Sequence, residues 1–155
     1  MKKRWKTVLL VIIAVLILPI ILRIVFVYVS ERHVPKEDIV QSFNANFEKF
    51  RTIVEYAEKV EGNLYVEYGF LRKWEMRNGK NKIDDKEISG QIQYITRKLN
   101  FRGIYEDEDC ITFVREEGHD EQGIFYLKNG NLPTYGIKLM PIKDKWYYYL
   151  IKRPD

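Results

Sequence analysis

Residues 103–152, GIYEDEDCITFVREEGHDEQGIFYLKNGNLPTYGIKLMPIKDKWYYYLIK, decide the fold. The stretch divides into five short runs, 103–106, 110–115, 123–128, 136–142 and 146–152, rich in Ile, Val, Phe, Tyr and Trp. Such residues suit a pleated, half-buried surface. Between the runs stand residues 107–109, 116–122, 129–135 and 143–145, dominated by Asp, Glu, Asn, Gly and Lys. Short polar turns between successive strands predict an antiparallel meander.

Upstream the period changes. Ile88, Ile92, Ile95 and Leu99 recur at steps of 4, 3 and 4, one face of a helix, with Asp84 or Asp85 placed to cap it. Asn78 and Gly79, with the polar residues that follow to Lys82, read as a loop. Leu64, Val66, Tyr68 and Phe70 alternate with Tyr65, Glu67 and Gly69, which predicts a strand. Before it, Ile39, Phe43, Phe47, Phe50, Val54 and Ala57 form a second apolar helical face. Pro35 stands in its first turn, Glu37 and Asp38 follow, and Gly62 marks its stop. The three phenylalanines on one stripe are read as core. The order helix, strand, helix, strands predicts an α+β domain over residues 36–155, with two amphipathic helices packed on a mainly antiparallel sheet.

Ahead of this domain the sequence is of another kind. Of the 23 residues at 7–29, 18 are Leu, Ile, Val or Phe. As a helix they cover roughly 34 Å, enough for a hydrocarbon core of roughly 30 Å. Their insertion gain of roughly 5–10 kcal/mol outweighs a cost of at most about 3 kcal/mol for Arg23, which lies toward one end. An N-terminal transmembrane helix is therefore expected at 7–29, with Trp5 and Tyr28 bracketing it. A cleaved leader is the rival reading, but the residues after the run, from Ile24 to Val29, are too bulky for a small-x-small cleavage site. Lys2, Lys3, Arg4 and Lys6 make residues 1–6 a basic cytoplasmic end, which places the C-terminal domain outside the cell membrane. The tether at 30–35 reaches at most about 20 Å, so the domain is held near the bilayer surface.

Charge divides along the same line. Five of the 26 basic residues and none of the 22 acidic ones precede residue 30, which leaves 21 basic against 22 acidic in the remainder. The basic balance belongs to the anchor, and no nucleic-acid partner is inferred from it, since a duplex binder needs a basic face on the folded domain.

Residues that could carry chemistry are few. Glu106, Asp107, Glu108 and Asp109 lack the ligand spacing and glycine of a calcium loop and read as a solvated hairpin turn. Glu116, Glu117, His119, Asp120 and Glu121 form a second polar loop, in which His119 has no sequence neighbour to orient it as an acid or base. The single cysteine, Cys110, reads as a small core residue. No nucleophile elbow, phosphate loop or zinc-ligand spacing is present, so no catalytic residue, metal ligand or cofactor is assigned. Trp146 and Tyr148 share one face of the last strand, Tyr147 and Tyr149 the other. Trp146, Tyr147, Tyr149 and His119 make up the candidate interaction surface.

The basic start with a single span, the Phe-bearing first helix, the stretch Gly123-Ile124-Phe125-Tyr126 and the closing Trp146-Tyr147-Tyr148-Tyr149 resemble a group of small membrane-anchored proteins of Gram-positive bacteria. That group has no assigned activity, so the resemblance implies anchoring and carries over no functional residue. The expected function is a membrane-anchored extracytoplasmic interaction module, binding a membrane or envelope protein, a toxin met in the manner of an immunity protein being one such partner. Two alternatives stand beside it: an envelope-acting enzyme using loop carboxylates, and an accessory subunit of a membrane complex in which Arg23 pairs with a partner helix.

Overall fold

A computed structural model describes residues 17–19, 34–68, 74–116, 120–130 and 136–152. The chain divides into two units, Met1–His33 and Val34–Asp155. The expected span at 7–29 lies outside the described residues except for 17–19, which are helical, and no described helix is long and apolar enough to cross a membrane.

The second unit runs α1 (Lys36–Ala45), α2 (Phe47–Ala57), β1 (Leu64–Tyr68), β2 (Trp74–Asn78), β3 (Asn81–Lys82), α3 (Lys86–Gln93) with a π-helical turn (Tyr94–Lys98), β4 (Gly103–Glu106), β5 (Cys110–Glu116), β6 (Asp120–Leu127), β7 (Ile137–Lys143) and β8 (Trp146–Lys152). All eight strands form one sheet, β3-β2-β1-β4-β5-β6-β8-β7, antiparallel at every junction. The α+β reading holds, with corrections in detail.

The first helix is two. Asn46, at φ −126°, separates α1 from α2, and its side-chain amide donates to the Ser42 carbonyl at 2.9 Å. An Asn that bonds the backbone in this way competes with the helical ladder, and the axis breaks there. Pro35 is not inside the first turn but caps it, its carbonyl accepting from the amides of Asp38 and Ile39. Gly62 stops nothing, since α2 already ends at Ala57. At φ +102° it passes so close to the β2–β3 turn that a Cβ would stand 2.9 Å from the Gly79 nitrogen.

The second helix starts as its sequence predicts. Asp85 accepts from the amides of Glu87 and Ile88 at 2.8 and 3.0 Å, and such a cap contributes about 1 kcal/mol. The helix widens at Tyr94–Lys98, where the Thr96 hydroxyl donates to the Ile92 carbonyl at 2.8 Å and the Leu99 amide reaches back five residues to Tyr94. Asn100, at φ 55°, turns the chain out, and the Phe101 amide closes the end on the Ile95 carbonyl.

The meander fails at its last step. β8 lies between β6 and β7, because residues 144 and 145 close a tight hairpin, with Asp144 left-handed at φ 47°, while β6 and β7 are joined by a longer connection. β7 is thus an edge strand, and Pro141 with a bulge near Lys143 blunts it. The expected loop at 78–82 is a hairpin of β2 with the short β3.

The core lies between the helices and one sheet face. Phe43, Phe50, Phe101, Phe113 and Trp146 are all under 5% exposed. Phe50 meets Phe43, Phe101 and Phe113 edge-on at 5.1, 5.3 and 5.0 Å. Each such pair adds about 0.5–1.5 kcal/mol to the burial itself.

Candidate functional site

Strand register builds a second surface on the opposite face. Val66, Ile104, Phe113 and Ile124 point toward the helices, so their neighbours point away. Reading the pairings across β2, β1, β4, β5, β6 and β8 gives one row of six: Arg77, Tyr65, Tyr105, Thr112, Phe125 and Tyr147. The Arg77 guanidinium lies 4.5 Å from the Tyr65 ring centre, and Tyr65 meets Tyr105 edge-on at 5.5 Å. The Tyr65 hydroxyl donates to the Glu67 carboxylate.

The next row, Glu67, Gly103, Val114, Gly123 and Tyr149, seats two of these rings. A Cβ on Gly103 would stand 2.6 Å from Cζ of Tyr105, and one on Gly123 2.9 Å from Cε1 of Tyr149. Tyr105 therefore packs on the bare backbone of Gly103, while at Gly123 the backbone carbonyl of Phe113 stands closer still than the Tyr149 ring. The Tyr149 hydroxyl donates to Glu121 at 3.0 Å. Cys110, Phe125, Leu127 and Tyr149 form a buried cluster on this side whose members all come from strands.

The acidic run is a knot of hydrogen bonds. The Glu106 carboxylate, its side chain 4% exposed, accepts from the Leu64 amide at 2.8 Å and the Lys128 ammonium at 3.0 Å. Asp107 accepts from the amides of Asp109 and Cys110 at 2.9 and 2.8 Å. Of the run, Asp107, Glu108 and Asp109 are exposed while Glu106 is engaged within the fold. The Cys110 thiol is pushed up to about 12 by burial first and then by its hydrogen bond to Asp107, so it holds its proton and is a poor nucleophile at neutral pH. Among the described residues no three His, Cys, Asp or Glu side chains are grouped to hold a metal ion.

The expected second acidic loop is shorter than its sequence suggests, because Asp120–Leu127 is strand. Gln122, wholly buried, donates to the Val34 carbonyl at 2.8 Å and accepts from the Tyr148 hydroxyl. This ties the start of the unit to the middle of the sheet.

The candidate interaction residues separate. Trp146, 4% exposed, is part of the helix-side core, packed on Phe43 at 5.0 Å and Tyr126 at 4.9 Å. Tyr149, 1% exposed, belongs to the far-side cluster. Tyr147 is half-buried at the end of the six-residue row, and His119 lies outside the described residues. Sequence reasoning missed Tyr65, Tyr105 and Arg77. Alternation in 64–68 already put Tyr65 and Glu67 on one face, but the pairing that sets Tyr65 beside Tyr105 joins residues 40 apart. No family model matches this chain, and neither a curated protein nor a solved structure matches it.

Proposed function

We propose that the chain is a membrane-anchored, extracytoplasmic binding module that receives a membrane or envelope protein on the sheet face turned away from its helices. The observation that carries this reading is the row from Arg77 through Tyr65 and Tyr105 to Tyr147, where half-buried tyrosines stand beside a guanidinium and a carboxylate. Tyrosine and arginine are the residues that interface centres favour, because each offers a large apolar body with a polar tip. The anchor reading draws its support from the apolar run at 7–29 and the basic residues before it. The reading as an enzyme loses its best acid, since Glu106 is committed to Leu64 and Lys128.

The test is photocrosslinking in intact cells. A benzoylphenylalanine in place of Tyr105 should give one discrete adduct, and one at the exposed Glu48 of α2 should give none. Equal labelling from both positions, or none from either, removes the proposal. Protease added to the same cells should digest residues 34–155, and full protection would remove the outward orientation.

A further inference from the structure

The chain comes into the folded unit at Val34, and the structure fixes where. Gln122 on β6 holds the Val34 carbonyl at 2.8 Å. Gln122 is in register with Leu150 on β8, and Leu150 with Lys138 on the edge strand β7. With strands roughly 4.8 Å apart, the incoming chain lies about 10 Å from that edge. Two residues later the Lys36 ammonium reaches Met140 of β7 at 3.3 Å. Val34, where the described part of the unit begins, therefore lies near its β7 edge.

That edge is basic. β7 and its turn to β8 carry Lys138, Lys143 and Lys145, all exposed, against one carboxylate, Asp144. Lys143 lies 4.2 Å from the Phe47 ring centre, and Lys145, 5.9 Å from that of Tyr126, donates to the Lys128 carbonyl at 3.1 Å, so its charge is carried at the hairpin end of the edge. Lys36, Lys138, Lys143 and Lys145 make no ion pair among the described residues. Glu37 and Asp38, exposed in the first turn of α1, follow Lys36 in sequence, as Asp144 follows Lys143. Edge lysines also discourage strand pairing, but Pro141 and the bulge already do so here. Between the end of the apolar run at residue 29 and Val34 the chain spans at most about 18 Å. On the anchored reading, a basic edge on so short a tether comes within reach of lipid headgroups.

We infer that the β7 edge, through Lys36, Lys138, Lys143 and Lys145, docks on the headgroups of anionic phospholipids and so fixes which face of the sheet is turned to a partner. The inference rests on the anchored reading above. Full-length protein is assembled into nanodiscs of phosphatidylcholine alone or mixed with phosphatidylglycerol, and co-migration with the discs is scored before anything else. Lysine acetylation is then followed residue by residue. Lys138, Lys143 and Lys145 should label several-fold more slowly in the anionic discs, and high salt should abolish the difference, because exposed charges are screened. Lys82, on the opposite sheet edge, should label equally in both. In the Lys138→Glu, Lys143→Glu, Lys145→Glu triple variant, Lys36 should label at one rate in both discs. Full incorporation with no lipid dependence at the β7 lysines, or the same slowing at Lys82, overturns the inference and leaves the anchor intact. Failure to co-migrate overturns the anchor, and the inference with it.

Discussion

The two faces of the sheet are made from alternate residues of the same strands, yet they hold their aromatic rings by different means. Toward the helices Phe50 is wholly buried and meets four other rings. The Tyr148 hydroxyl lodged there is matched by buried Gln122. On the far face the rings are mainly tyrosines, and two of them are fixed by point contacts: Arg77 on Tyr65, Glu67 on the Tyr65 hydroxyl, Glu121 on that of Tyr149. One face is held by area and the other by polar contacts and glycine seats. Truncating a ring should therefore cost far more on the first face. Phe50→Ala should lower unfolding free energy in urea by about 3–5 kcal/mol, with Tyr147→Ala at about 1 kcal/mol, since its ring is only partly buried. Equal losses would erase the contrast.

Glu106 tests whether polar contacts on this sheet are structural or spare for chemistry. Glu106→Ala leaves the Leu64 amide and the Lys128 ammonium without their acceptor, and should cost about 2–3 kcal/mol in the same urea titration. Glu106→Gln keeps an acceptor for the amide and should recover about half. A wild-type midpoint for Glu106→Ala would return that carboxylate to the pool of candidate acids.

A smaller effect sharpens the seating of the tyrosines. Gly103→Ala forces the Tyr105 ring from its place and should cost about 1–2 kcal/mol. In a Tyr105→Ala background the same change should cost nothing, which a double-mutant cycle reads directly. An equal cost in both backgrounds would mean that the glycine serves its own backbone and not the ring.

Much of the helix side was legible in the sequence because its signals are local. The run at 103–106 is β4, the run at 146–152 is β8, and one of the two capping aspartates, Asp85, caps α3. The break at Asn46 was not, because the apolar stripe continues across it from Phe43 to Phe47 and hides the change of axis. β2 was missed although Trp74 and Met76 alternate with Glu75 and Arg77, since a run of five residues with two charges and an asparagine gives a weak strand signal by itself. The insertion of β8 depends on one short turn beating a longer connection, a competition that no single strand records. The far-face row needs long-range register, which alternation alone cannot supply. Trp146 and Tyr147 look alike as aromatic neighbours, and only the pleat sends one inward and the other out.

The last difference between the faces is in titration, and it vanishes at neutral pH. Cys110 belongs to the far-face cluster, and its thiol is raised from 9.0 to about 12, chiefly by burial. A native thiol that keeps its proton while the unfolded one ionises contributes stability below about pH 9 and loses it progressively as pH climbs toward about 12. Tyr126, on the helix side, is raised from 10.0 to about 12 by burial and then by its bond to Glu58, so its own loss begins about one pH unit later. Between about pH 8 and about pH 10 the urea midpoint of the wild type should therefore fall more than that of Cys110→Ala. The Tyr126→Phe variant should fall about as far as the wild type over the same interval. If Cys110→Ala falls just as steeply, the alkaline sensitivity does not come from the far-face thiol, and the contrast in how the two faces carry their polar groups fails there.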